Sequence, residues 1–238
     1  MRTTAQILAA LNVDARRGRS LPELLCVHCT TSLDLRGAGM ALMNDAGHQG
    51  VVGASGPVAA HLEDVQFELG EGPSLDASRG NTPVLRPDLN AGEWWHWPRF
   101  GPAAEAAGVR AVFALPLQVG AVRLGSLCLY RSTAGRLDDD ETGTALAYAD
   151  AAVVVLLHLQ AQMLPGLALH PDLGEPLAYG AEVHQATGFV SVQASVGLTE
   201  ALLLLRAHAF SSDRPLLQVA RDVLAGRLDL LPAEDVDD

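Results

Sequence analysis

The last third of the chain carries three helical patterns separated by short breaks, and their spacing limits what this chain can fold into. The third pattern repeats apolar residues every three or four positions, at Leu216, Val219, Ala220, Val223 and Leu224. The second has an equivalent stripe, formed by Leu198, Leu202, Leu205 and Ala209. The first covers about residues 175–194, with an apolar side of Val183, Ala186, Val190 and Ala194. Each stripe has the period of an α-helix, so we expect three helices in one small bundle.

Two further rows of residues lie beside these stripes, and we expect both to face outward. The row on the third helix consists of Arg214, Gln218 and Arg221, and the row on the second consists of Leu203, Arg206 and Phe210. Guanidinium groups contact phosphates and aromatic rings stack on splayed bases, so these rows suit the recognition of RNA loops. The same residues also fit a solvated amphipathic surface with Phe210 in the core.

Three segments, residues 183–192, 200–210 and 215–223, together resemble the ANTAR domain, a bacterial RNA-binding output module. ANTAR proteins bind paired hairpins in nascent RNA and keep a terminator stem from forming, so the resemblance implies transcription antitermination. It also adds three residues of the first helix to the candidate RNA-binding set, which becomes Ala186, Thr187, Gly188, Arg206, Phe210, Arg214, Gln218 and Arg221. Thr187 stands where the family often has a basic residue.

The charge of the chain limits its partners. The net charge is −12 and all 16 basic residues are arginines, so the protein as a whole should repel nucleic acids and anionic membranes. Residues 181–231 hold four arginines and five acidic residues, whereas nucleic-acid-binding modules are usually basic. We therefore expect any RNA binding to be weak, or to depend on dimerisation or on a signal.

Residues 145–164 form an apolar segment close to the length of a membrane span. Polar residues interrupt it, and several of its residues recur at alternating three- and four-residue steps, as in a coiled-coil seam: Leu146, Ala149, Val153, Leu156, Gln160 and Met163. We expect a dimerising helix rather than a span, and no membrane partner. Three cysteines, an odd number, favour a reducing cytoplasm over a disulfide-bonded exterior.

The first 160 residues have the pattern of a mixed domain. Helices are predicted over residues 3–13, 21–32, 59–69 and from about 138, and strands over residues 39–43, 50–55, 82–85, 109–119 and 122–130. Strands in hairpins, with helices at both ends, predict an α+β fold in which helices pack on one face of the sheet.

Residues 65–77 contain a helix end followed by Gly-Glu-Gly-Pro-Ser-Leu-Asp-Ala, and they resemble the equivalent segment of GAF domains that are fused to ANTAR domains. Ser74 stands where such relatives often have a cysteine, so redox sensing at that position is not expected. GAF folds commonly hold a small ligand between the sheet and its covering loops, which implies a pocket near Trp94, Trp95 and Trp97. These rings suit either a ligand lid or a hydrophobic plug. The sequence names neither ligand nor cofactor.

The sequence shows no pattern typical of a catalytic or metal-binding site. Cys26 and Cys29 are three positions apart on a predicted helix, but no second ligand pair has metal spacing, so we expect buried core cysteines and no metal. The chain has neither a phosphate-binding Walker loop nor a nucleophile elbow. We therefore predict that it is not an enzyme.

These patterns predict a GAF-like sensor with flanking helices over residues 1–160, a proline-rich linker over 161–176, an ANTAR-like RNA-binding bundle over 177–231 and an acidic tail over 232–238. The expected partners are RNA hairpins, a second copy bound through the terminal helices of the sensor, and a small molecule in the sensor. Two alternatives stay open. The chain could be a dimeric small-molecule-binding module whose last bundle contacts protein, or helices two and three could bind DNA as a helix-turn-helix.

Overall fold

Two units make up the chain, Met1–Leu177 (unit 1) and Ala178–Asp238 (unit 2). The computed structural model describes residues 2–14, 18–44, 47–90, 96–161 and 171–230. Trp94 and Trp95, Met163 of the expected seam and the acidic tail lie outside the described residues.

Unit 1 is built on an antiparallel sheet of five described strands. They are β1 (Gly37–Asn44), β2 (Gly47–Ala54), β3 (Val84–Arg86), β4 (Ala111–Val119) and β5 (Val122–Arg131), in the order β2-β1-β5-β4-β3. The predicted hairpin of β4 and β5 is confirmed, and Val119 pairs with Val122 across its turn. β5 pairs with both β1 and β4 and so lies at the centre of the sheet.

Six described helices belong to unit 1. They are α1 (Thr4–Asp14), α2 (Leu21–Ser32), α3 (Pro57–Leu69), α4 (Pro73–Gly80), α5 (Phe100–Ala106) and α6 (Asp139–Ala161). Reciprocal capping fixes two of their starts, because Ser20 and Glu23 bond each other's backbone N–H groups at α2, and Asp138 and Glu141 do the same at α6. The short helices α4 and α5 were not predicted.

The helices of unit 1 cover both faces of the sheet, and the prediction of helices on one face was wrong. Helices α1, α2 and α6 share a core with one face, while α3, α4 and α5 pack on the other. The reason is visible in β4, where Phe113 and Leu115 join the first core while Val112 and Ala114 join the second. A strand that is apolar on both sides must be covered on both sides.

Helix α6 is the one described helix of the chain that is long and apolar enough to cross a membrane by itself, with a mean hydropathy of 1.5 over its most apolar 18 residues. A bent pair of described helical segments, Gly180–Gln193 and Leu198–Ser211, passes the same test only if both count as one span. In unit 1, 56% of that stretch of α6 is buried, and Tyr148 is fully buried there. A core helix passes this test as readily as a membrane span, so the result is weak support for a span.

Unit 2 consists, in its described residues, of the end of α7 (Pro171–Gln193) followed by α8 (Leu198–Ser211) and α9 (Leu216–Leu224). Most of the predicted apolar stripes are buried: Val183, Ala186, Val190, Leu202, Leu205, Ala209, Leu216, Val219, Ala220 and Val223. Leu198 and Leu224, at the ends of their helices, are instead 58% and 39% exposed, contrary to prediction. Helix α7 begins at Pro171, inside the predicted linker, because proline suits the first turn of a helix.

Candidate functional site

A group of polar side chains lies buried between the sheet and the helices α3 and α4. It consists of Glu63, Gln66, Ser74 and Tyr130, which we call the polar cluster, and each of these residues is fully buried. Glu63 and Gln66 lie one turn apart on α3, so both face the sheet. Ser74 lies in the first turn of α4, and Tyr130 lies on the central strand β5.

Hydrogen bonds of 2.8–3.3 Å join these four side chains. The Tyr130 hydroxyl donates to Glu63 Oε1 at 2.8 Å, and the Ser74 hydroxyl donates to Glu63 Oε2 at 3.3 Å. Gln66 Nε2 lies 3.0 Å from Tyr130 Oη, 3.1 Å from Ser74 Oγ and 3.3 Å from Glu63 Oε2. Gln66 Oε1 accepts the backbone N–H of Ser74 at 2.8 Å, which ties the start of α4 to α3.

Two glycines make room for the polar cluster. A Cβ atom on Gly39 of β1 would lie 2.5 Å from Glu63 Cγ, and one on Gly72 would lie 2.4 Å from Gln66 Oε1. Gly72 also has a φ of +134°, which side-chain-bearing residues rarely adopt. The Gly-Glu-Gly-Pro turn therefore positions Ser74 and leaves Gln66 its place.

Burial controls the electrostatics of the polar cluster. Loss of solvation raises the pKa of Glu63 to about 7, although the hydrogen bonds from Tyr130 and Ser74 act in the opposite direction. Burial likewise raises the pKa of Tyr130 well above its ordinary value, so its hydroxyl stays protonated and donates. The Glu63 carboxyl is therefore the group of the cluster that can change charge near neutral pH.

Of the polar cluster, the sequence pattern indicated Ser74 but not Glu63, Gln66 or Tyr130. The available signal was the presence of Glu63 and Gln66 on the side of α3 that also carries the buried Leu62 and Phe67. Polar residues on a buried helix face need partners, but their partner Tyr130 lies 67 positions from Glu63. Local periodicity could not supply that pairing.

Of the three tryptophans expected at a ligand pocket, the structure describes Trp97. This ring is 4% exposed, and it packs edge to face on Phe100 with 5.9 Å between ring centroids. Its Nε1 donates to Asp76 Oδ2 at 2.9 Å, and the carboxylate of Glu71 accepts the backbone N–H groups of Arg99 and Phe100, each at 2.8 Å. Trp97 thus fills the core as the plug alternative requires, and a ligand contact for it stays a prediction.

The candidate RNA-binding residues of α7 lie mainly inside unit 2. Ala186 is fully buried, and Thr187 is 5% exposed and donates its hydroxyl to the Val183 carbonyl at 2.7 Å. Gly188 is half-buried. Ala186 and Thr187 therefore support the packing of the helices and have almost no surface for RNA.

The row predicted to face outward on α8 is exposed in part. Phe210 is 62% exposed and Leu203 is 64% exposed, while Arg206 between them is half-buried. Exposed aromatic surface of this kind is what base stacking uses, and RNA binding by these residues stays a prediction. The alternative that placed Phe210 in the core is not what the structure shows.

The arginines of the α9 row are held by carboxylates, which the sequence did not predict. Arg214 pairs with Asp222, whose other oxygen lies 2.6 Å from Arg227 Nη2, and Arg221 Nε lies 2.6 Å from Glu182 Oε2. The hydrogen bond from Arg214, followed by that from Arg227, lowers the pKa of Asp222, and the bond from Arg221 lowers that of Glu182. Gln218, the remaining member of the row, is exposed.

The three cysteines are all buried, as expected for Cys26 and Cys29, and their thiols are free. Burial raises the pKa of each thiol, which suppresses the reactive thiolate. In the described part of the chain no group of three or more histidine, cysteine or carboxylate side chains could hold a metal ion.

The sequence matches no family model, and no curated protein matches it. Solved structures do match. The GAF domain of an Acinetobacter phosphoenolpyruvate-protein phosphotransferase is 10% identical with a TM-score of 0.50, covering 68% of this chain and 95% of that one. The corresponding GAF domain from Coxiella burnetii is 14% identical with a TM-score of 0.49, covering 67% and 96%.

A third match is the structure of the free methionine-R-sulfoxide reductase of Neisseria meningitidis in complex with its substrate. It is 14% identical with a TM-score of 0.49, covering 68% of this chain and 90% of that one. At such low sequence identity, structural similarity shows the fold alone. The five-stranded antiparallel sheet with its helices is an α+β domain of the GAF type.

Proposed function

We propose that this chain is a cytoplasmic signal-responsive regulator in which the GAF-type unit 1 senses a small molecule or another signal and unit 2 binds RNA. In this proposal unit 2 is an ANTAR-like module that binds paired hairpins of a nascent transcript and so prevents termination. Unit 1 joins two copies through its terminal helices, and the chain acts as a regulator rather than an enzyme.

The observation that carries the proposal is the outward face of α8. Phe210 presents an exposed ring, and the half-buried Arg206 lies one turn before it on α8. A base–aromatic stack contributes about 1–3 kcal/mol per base, and neighbouring guanidinium groups add phosphate contacts. Such a pair suits the unpaired bases of a hairpin loop.

The ion pairs of α9 explain why single contacts should be weak. A phosphate that approaches Arg214 or Arg221 must compete with Asp222 or Glu182. Two modules on one dimer would offset this weakness, because binding of the first hairpin raises the effective concentration of the second. The proposal therefore requires an RNA with two hairpins, suitably spaced.

Fluorescence anisotropy with a labelled two-hairpin RNA, at several salt concentrations, tests the proposal. We expect binding that weakens as salt rises, since phosphate contacts release counterions. Phe210→Ala should weaken binding by roughly 5- to 100-fold if the ring stacks on a base. The matched control is Leu198→Ala, which removes a side chain that is similarly exposed on the same helix.

Three outcomes count against the proposal. Wild-type protein that binds no hairpin RNA even at low salt excludes RNA recognition, and equal loss in the Phe210 and Leu198 variants excludes stacking at Phe210. Competition by duplex DNA as effective as by RNA would indicate the helix-turn-helix alternative instead.

A second candidate function is protein recognition by unit 2. It is favoured by exposed apolar residues, which include Leu203 and Val192 at 64% and 81% exposure, and by arginines already paired with carboxylates. Salt separates the two functions, because an apolar protein contact should depend weakly on ionic strength whereas an RNA contact depends on it strongly.

A further inference from the structure

The polar cluster of unit 1 is closed as it stands. Its four side chains are fully buried and their polar atoms lie 2.8–3.3 Å apart. No molecule fits between atoms at hydrogen-bond distance, so the species that these groups can exchange without moving apart is a proton.

The hydrogen bonds of the cluster depend on whether Glu63 carries a proton. With Glu63 ionised, Tyr130 and Ser74 each donate one hydrogen to the carboxylate, and the Gln66 amide has two hydrogens for its three close oxygens. Every hydrogen then has an acceptor. When Glu63 is protonated on Oε2, that oxygen becomes a donor to Ser74 Oγ, and the Ser74 hydroxyl must turn away.

The acidic groups whose charge interacts with that of Glu63 are Asp64 on α3, Tyr130 and Cys128 on β5, and Cys26 on α2 at the other face of the sheet. The buried imidazole of His48 on β2 also packs on this helix, edge to face on Phe67 with ring centroids 5.1 Å apart. Burial, followed by the charge of Asp64, disfavours the ionised carboxylate and raises the pKa of Glu63 to about 7. The hydrogen bonds from Tyr130 and Ser74 favour the ionised form.

A glutamine at position 63 would keep the shape and avoid the charge, so packing gives no reason for an acid here. Ionisable groups with strongly shifted pKa values occur preferentially at functional sites. We propose that Glu63 is a proton-binding site through which unit 1 responds to its surroundings, with its hydrogen-bonded neighbours rearranging when the proton leaves. This role goes beyond the proposed function and does not depend on RNA binding.

The cluster links its proton to the structure of unit 1. Ser74, whose hydroxyl turns with the proton, also lies in the first turn of α4, and its backbone N–H donates to Gln66 Oε1 of α3. A change in the bonds of Ser74 therefore acts on the junction between α3 and α4, where the Gly-Glu-Gly-Pro turn lies.

The test is an NMR titration of the full-length protein labelled with ¹³C at the glutamate side-chain carboxyl, from pH 4 to pH 9. We expect one glutamate signal with a midpoint near 7, and it should be absent in Glu63→Gln. Tyr130→Phe removes a hydrogen bond that favours the ionised form, so the same signal should move to a higher midpoint. Glu105→Gln, on the exposed side of α5, is the matched control and should leave the signal unchanged.

A Glu63 signal with the ordinary glutamate midpoint near 4.5 overturns the proposal. So does a signal near 7 that persists in Glu63→Gln or ignores Tyr130→Phe. If Glu63→Gln does not fold, the displacement by Tyr130→Phe in the folded protein still assigns the signal, and a missing displacement still refutes the site.

Discussion

Single carboxyl groups set the electrostatics of both units, and their surroundings decide the sign. Burial among neutral groups raises the pKa of Glu63, while arginines at the surface of unit 2 lower the pKa of Asp222 and Glu182. The ionised form of Glu63 in unit 1 is therefore disfavoured, whereas the ionised forms of Asp222 and Glu182 in unit 2 are stabilised by their arginine partners. The consequences for stability and for binding differ accordingly.

At the residue scale, the stability of unit 1 should fall as pH rises. The folded protein holds the Glu63 proton up to a pKa of about 7, whereas an unfolded glutamate loses it near 4.5. The favourable contribution is complete below pH 4.5 and is lost as pH rises through 7. A shift of this size corresponds to about 3 kcal/mol.

Urea denaturation of the wild type and of Glu63→Gln at pH 5, 6, 7 and 8 measures this effect. As pH rises from 5 to 8, the free energy of unfolding of Glu63→Gln should increase relative to that of the wild type. This difference should level off above the pKa of Glu63 in the folded protein. The two proteins are identical except at position 63, so the difference between their profiles isolates Glu63. Parallel profiles for the two proteins contradict the prediction.

Asp222 gives a second residue-scale prediction. Changing Asp222→Asn removes the carboxylate that holds Arg214 and Arg227, so both guanidinium groups become available to phosphate. The affinity for the two-hairpin RNA should rise severalfold, and the plot of log K against log salt should steepen by about one. The exposed Asp213→Asn changes the net charge equally and serves as control. An equal gain in both variants would show a general charge effect only.

At the scale of elements, the sequence correctly predicted the features that depend on residues close together in the chain. The β4–β5 hairpin and the starts of α2 and α6 were predicted to within a few residues, because turns and caps are determined by neighbours in sequence. The helices on both faces of the sheet were not predicted, although the continuous apolar run of β4 was a local signal that both of its sides are covered. The polar cluster could not be predicted from local patterns, because its residues come together only through tertiary contacts among α3, α4 and β5.

Helix α6 keeps only part of its predicted dimer seam on the outside. Ala149 and Leu156 of that seam are buried inside unit 1 and are not available to a second copy. The exposed large apolar residues are Leu146, which belongs to the predicted seam, and Val154 and Leu157, which do not. They are 47%, 44% and 40% exposed, and we call them the outward row. A cavity of about 440 Å³ lies beside the first of these residues.

We therefore expect the dimer to form through the outward row of α6. Leu157→Glu should convert the protein to a monomer in light scattering coupled to size exclusion, because a dimer would bury the new charge unpaired. The control, Ala106→Glu, adds the same charge to the exposed side of α5 on the other face of the sheet. A wild type that is already monomeric, or a dimer that survives Leu157→Glu, contradicts this interface.

At the scale of the whole molecule, the proposal requires that a signal in unit 1 change the affinity of unit 2. The proton site offers a way to measure that coupling without knowing the natural ligand. If RNA binding favours one protonation state of Glu63, proton binding must change RNA affinity by the same factor, since coupling between two sites is reciprocal.

The anisotropy titration with two-hairpin RNA, repeated at pH 6 and pH 8 on the full-length protein, measures this factor. Coupling free energies typically correspond to about 5-fold or more in affinity. We expect a change of that order in the wild type and a smaller one in Glu63→Gln, while Glu105→Gln should behave as the wild type. The three proteins are identical except at the substituted glutamate, so a difference between them reports that position. An identical pH dependence in the wild type and Glu63→Gln would mean that the proton site and the RNA-binding unit act independently.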